Sequence, residues 1–68
     1  METLKTFKIS ENQKGFDIVE LIENKEHEEY IVRWKWNNMK FPNAMRYKLF
    51  VDAIEKYRER KQFAIMCN

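Results

Sequence analysis

The 68 residues include one glycine, one proline, one cysteine, one histidine and one serine, and each scarcity removes a class of function. A single glycine leaves no Gly-rich loop to cradle a phosphate. The lone Cys67, second from the C-terminus, cannot form an intrachain disulfide, which points to a reducing, cytoplasmic setting. It has no neighbouring histidine to lower its pKa, so a reactive thiol is not expected. Ser10 falls in a turn-like run with no histidine at a recognisable spacing, so nothing suggests a nucleophilic triad. His27 is surrounded by Glu26, Glu28 and Glu29, yet a zinc site needs three or four converging ligands and neighbours in a hairpin tip diverge. No metal or cofactor is therefore expected. Asp52 and Glu55 stand one turn apart on the solvent side of the helix described below, where catalytic carboxylates would lack a desolvated pocket. Long apolar runs are missing as well. No stretch approaches the roughly 18 apolar residues of a membrane span, and Met1-Glu-Thr-Leu-Lys5 lacks the apolar region of a secretion signal. The reading is a single cytoplasmic domain over 1–68, not an enzyme and not bound to a membrane.

Disorder is also excluded, because 44% hydrophobic residues with a net charge of +2 suffice for collapse. Three segments have strand character: Leu4–Ile9, Phe16–Ile22 and Tyr30–Trp36. The run Ser10-Glu-Asn-Gln-Lys-Gly15 separates the first two, with Gly15 suited to a left-handed turn position, and the polar run Asn24–Glu28 forms a hairpin tip. Placing Ile9 opposite Phe16 and Ile18 opposite Trp34 collects Phe7, Ile9, Phe16, Ile18, Ile22, Tyr30, Val32, Trp34 and Trp36 on one face. The same register sets Lys5 opposite Glu20 and Asp17 between Lys8 and Lys35. Leu4, Val19, Leu21 and Ile31 then lie on the second face among Thr6, Arg33 and Lys35, an apolar patch that the C-terminal tail or another chain should cover.

Asn37–Asn43 reads as a loop, with Asn43 a candidate N-cap and Pro42 an alternative first helical residue. From Ala44 to about Lys61, the residues Tyr47, Phe50, Val51, Ile54 and Tyr57 recur every three or four positions, as on the buried face of a helix. Lys48, Asp52, Glu55, Lys56 and Glu59 take the opposite face, with Lys48–Asp52 and Asp52–Lys56 at i,i+4 spacing. Phe63–Asn68 is too short for a second helix; it could add a fourth strand or pack across the second sheet face. The expected fold is α+β, a three-stranded antiparallel meander packed on one C-terminal helix, with room for a short fourth strand at the C-terminus.

Charge is unevenly spread: residues 1–32 carry four lysines and eight acids, whereas residues 33–68 carry nine basic residues and three acids. Arg33, Lys35, Lys40, Arg46, Lys48, Arg58, Arg60 and Lys61 form the basic side, the candidate nucleic-acid surface of a small regulatory module. Trp34 and Trp36 could stack on bases, but the register turns them toward the helix, and the basic excess is mild. Protein binding is the favoured expectation, because Met, Phe, Trp and Arg are the residue types interfaces prefer. Met39 and Phe41 sit in a connecting loop, either folded under as lids on the core or displayed as anchors. The candidate partner surface is Leu21, Ile31, Arg33 and Lys35 with the Met39, Lys40 and Phe41 loop beside it. A dipolar surface would also orient a homodimer. In size and Lys, Glu and Asn content the chain is similar to small single-domain proteins of bacteriophages and mobile elements. That likeness rests on no motif and transfers no residue, but it implies a stoichiometric inhibitor of a nucleic-acid-handling or defence enzyme, acting by occlusion.

Overall fold

The computed structural model describes residues 1–8, 18–36 and 40–66. Strands β1 (Glu2–Lys8), β2 (Ile18–Asn24), β3 (Glu29–Lys35) and β4 (Asn43–Tyr47) form one antiparallel sheet in the order β1-β2-β3-β4, followed by helix α1 (Phe50–Met66). The α+β architecture is as expected, with a fourth strand drawn from a segment assigned to the helix. Gly15, Ile9, Phe16, Asp17, Met39 and Cys67 lie outside the described residues.

The register departs from the expected one by a single residue. Val19 pairs with Trp34 and Leu21 with Val32, while Phe7 and Lys5 oppose Val19 and Leu21 from β1. This reverses the two faces of β2. Val19 and Leu21 join Val32, Trp34, Ala53, Ile54 and Tyr57 in the core under the helix, with Phe7, Tyr30, Trp36 and Tyr47 packed at its margin. Ile18 and Ile22, expected in the core, point to the other face with Glu20. Thr6, rather than Lys5, opposes Glu20. Strand β2 is apolar on both sides, so its own pattern carries no parity; the pairing is settled by its neighbours. Glu20 opposite Arg33 is the decisive charge match, since Arg33 Nε and Nη2 both donate to Glu20 Oε1, at 2.9 and 2.7 Å. The faces of β3 are as expected, with both tryptophans toward the helix.

The tip of the β2–β3 hairpin is a four-residue turn, Lys25–Glu28, in which the Glu28 N–H donates to the Lys25 carbonyl at 3.3 Å. Glu28 has φ 50°, a left-handed conformation that a side chain with a Cβ adopts at a cost of about 1 kcal/mol.

Residues 44–47 are strand, not the start of the helix. Met45 and Tyr47 alternate with Ala44 and Arg46, a period of two that the i,i+3 coincidence of Tyr47 with Phe50 disguises as a helical stripe. Bends at Lys48 and Leu49 turn the chain, and the Ala53 N–H donates to the Leu49 carbonyl at 3.2 Å to open the helix. Asn43 is therefore no cap; it pairs with Trp34. The helix buries Ala53, Ile54, Tyr57 and Ala64 and leaves Val51 exposed. Residues 63–66, expected to form a strand or a cover, instead continue the helix, where Ala64 is buried against the sheet side.

The packing of α1 sets its direction. Phe50 meets Tyr30 edge-on with ring centroids 5.5 Å apart, and Phe63 meets Trp36 at 5.5 Å. Since Tyr30 opens β3 and Trp36 follows it, the helix runs parallel to β3 and antiparallel to β4.

Candidate interaction surface

Among the described residues the sheet and the one helix form two layers. The face away from the helix carries Thr6 and Lys8 from β1, Ile18, Glu20, Ile22 and Asn24 from β2, Glu29, Ile31, Arg33 and Lys35 from β3, and Ala44 and Arg46 from β4, as alternation from the observed register requires. Ile22 and Ile31 are cross-strand partners at its centre and remain buried, at 5% and 9% exposure. Glu20–Arg33 lies on one side of this pair. On the other, Arg46 Nη1 comes within 3.7 Å of Glu29 Oε1. The patch expected on this face is not formed among the described residues: Leu21 and Val19 belong to the core, and Ile22 and Ile31 lie between the two ion pairs.

That arrangement redistributes the candidate residues. Leu21, at 0% exposure, has no surface to offer a partner, and Ile31 offers almost none. Arg33 is exposed but engaged by Glu20, and Lys35 is half-buried on the same face. Lys40 and Phe41 are exposed in the connection between β3 and β4, where Phe41 stands 76% exposed. Of the two placements expected for Phe41, folded under the core or exposed on the loop, it takes the exposed one.

The basic residues do not converge. Arg33, Lys35 and Arg46 share the open sheet face with Glu20 and Glu29, whereas Arg58 is on the outer side of α1. Arg60 and Lys61 turn inward, the Arg60 guanidinium carbon 4.7 Å above the Trp34 ring and the Lys61 Nζ 5.2 Å from the Phe7 ring centroid. Lys48 borders a different feature, an open depression of about 410 Å³ below the hairpin tip, lined by Glu23, Asn24, Lys25, Glu28 and Tyr30 as well. The basic side expected from the uneven charge is interrupted on the sheet face, where Glu20 and Glu29 pair with Arg33 and Arg46.

A second groove, of about 280 Å³, lies between Tyr47 at the end of β4 and the flank of α1 formed by Asp52, Glu55, Lys56 and Glu59. The expected i,i+4 pairs are not those formed here: Lys56 instead reaches Glu59 at 2.9 Å. That hydrogen bond, reinforced by the Lys56 charge, holds the Glu59 carboxyl below its ordinary range. Among the described residues, no three His, Cys, Asp or Glu side chains are grouped to hold a metal ion, and no helix is long and apolar enough to cross a membrane.

No family model, curated protein or solved structure matches this chain. Sequence reasoning missed Glu20 and Glu29 as partners of the arginines. Glu20–Arg33 is legible in the sequence as a cross-strand charge match, whereas Glu29–Arg46 exists only because residues 43–47 form β4.

Proposed function

We propose that the chain is a non-enzymatic binding protein that occupies the working surface of another protein stoichiometrically. The observation that carries this reading is Phe41, displayed at 76% exposure beside Lys40 in the connection that precedes β4. A large aromatic ring left in water gains nothing from the fold but would gain from burial against a partner, and buried aromatic anchors dominate binding energies at protein interfaces. Arg33 and Lys35 stand on the neighbouring sheet face, where charge orients an approaching partner. A nucleic-acid-handling or defence enzyme as the target follows from the likeness to small phage and mobile-element inhibitors. The cytoplasm is the compartment in which such an encounter would occur.

The test is affinity capture from host extract with Phe41→Ala beside the unsubstituted chain, with and without nuclease. Capture of a defined protein that resists nuclease and falls at least about ten-fold with Phe41→Ala, at unchanged circular dichroism, is the expected result. Capture that disappears with nuclease and weakens steeply with salt would assign the chain to nucleic acid instead.

A further inference from the structure

We infer that the outer edge of β4 accepts an extended, positively charged segment of the partner as an added strand. The inference rests on the reading of the chain as a binding protein and names the chemistry its partner must present. The sheet has two edges, β1 and β4, and they are built differently. Strand β1 is interrupted by a register shift between Thr3 and Lys5, and it carries Lys5 and Lys8. A bulge and edge lysines are the usual means of discouraging strand addition. Strand β4 pairs with β3 through five consecutive residues without a break, and Arg46 is its only charged residue. Among the described residues no strand pairs with its other side, so alternate N–H and C=O groups of Asn43–Tyr47 face outward.

What selects the occupant is the wall above this edge. Helix α1 runs antiparallel to β4, and Asp52, Glu55 and Glu59, which follow one another along its flank, line the groove with Lys56 and with Tyr47 at the end of the strand. Three carboxylates face one ammonium, and that ammonium is taken by Glu59. No ion pair engages Asp52 or Glu55 among the described residues. A strand laid along β4 would turn every second side chain toward the helix. Lysine or arginine at those positions would meet the acids, while the backbone bonds to β4 would supply sequence-independent affinity. Tyr47 gives the groove its aromatic floor, and Met45, 42% exposed, shares the helix-side face of β4 with it. Phe41 lies two residues before β4, at the end of the same track. A second copy fits less well: two-fold joining of β4 to β4 would place this acidic flank against itself.

The experiment is a nuclear magnetic resonance titration of the labelled chain with two synthetic peptides, one alternating lysine with threonine and one alternating glutamate with threonine. The lysine peptide is expected to shift the amides of Asn43–Tyr47 and slow their exchange, and the glutamate peptide to leave them unchanged. Charge reversal at Asp52→Lys and Glu55→Lys together should weaken the lysine peptide about ten-fold, whereas Arg58→Ala should not. Amides of β4 that stay unmoved at millimolar peptide, equal response to both peptides, or protection of β4 by self-association would each overturn the inference. Capture of a partner that depends on Phe41 but tolerates both charge reversals would overturn the β4 inference alone. Failure of Phe41→Ala to matter would instead reach the underlying reading.

Discussion

Arg60 shows how a charged residue comes to serve the core. Its guanidinium carbon lies 4.7 Å above Trp34 and 5.9 Å from the Phe63 ring, while its Nε is buried with no hydrogen-bond partner among the described residues. The attraction to the ring and the packing of the stem stabilise the helix against the sheet, and the unpaired N–H works against them. Removing everything with Arg60→Ala should cost about 1–2 kcal/mol in urea unfolding followed by tryptophan fluorescence. Arg60→Met, which keeps the packing and deletes the unpaired donor, should cost distinctly less. If the two substitutions cost the same, packing by the stem contributes little. Phe41 is the opposite case, an apolar ring left in water, and its substitution should be silent in stability and audible in binding.

The β2–β3 hairpin contains the one strained backbone position among the described residues. Glu28 holds a φ of 50° because the Lys25–Glu28 turn must return the chain in register for Asn24 to meet Glu29. Glu28→Gly relieves the Cβ conflict and should stabilise the fold by up to about 1 kcal/mol, read as a higher urea midpoint at unchanged slope. The gain is partly offset because glycine also loosens the unfolded chain. In the helix, capping is weak: its first carbonyl acceptor is Leu49, and Asp52 alone supplies negative charge to the first turn. Tertiary contacts, through Ala53, Ile54, Tyr57, Arg60 and Ala64, hold α1 in place.

For the molecule as a whole, the two layers share a small core, and total stability for a chain of this size is on the order of 3–10 kcal/mol. Tyr57 sits in that core, and burial pushes its phenol above the ordinary value of 10.0. The unfolded chain therefore loses this proton first as pH rises, and the unfolded state binds fewer protons than the folded one from pH 10.0 upward through the raised value. The contribution of Tyr57 to stability should be constant below that window and fall across it. Tyr57→Phe should abolish the fall attributable to this group, measured as unfolding midpoints between neutral and strongly alkaline pH. An alkaline decline unchanged by Tyr57→Phe would place its origin elsewhere. Charge also acts over the whole molecule: Glu20–Arg33 and Glu29–Arg46 cancel as pairs on the sheet face, whereas the β4 groove sets three carboxylates against the one ammonium of Lys56.

The sequence by itself determined the α+β class, the antiparallel order of the first three strands, the polar hairpin tip, the faces of β3 and the presence of a C-terminal helix. These follow from alternation and periodicity, which are local properties of the chain. It did not determine the faces of β2, whose residues are apolar on both sides, so that Leu21 was placed at the surface and lies in the core. Nor did it separate β4 from the helix, because Tyr47 and Phe50 satisfy both a strand ending and a helical stripe. Only tertiary structure decided these points: hydrogen bonding of Asn43–Tyr47 to β3 and the Glu20–Arg33 pair are contacts between residues distant in the chain, and their energy outweighs local preference. The β4 groove exists for the same reason. Its floor and its wall are ordinary residues in sequence, and their alignment comes from the antiparallel packing of α1 on β4.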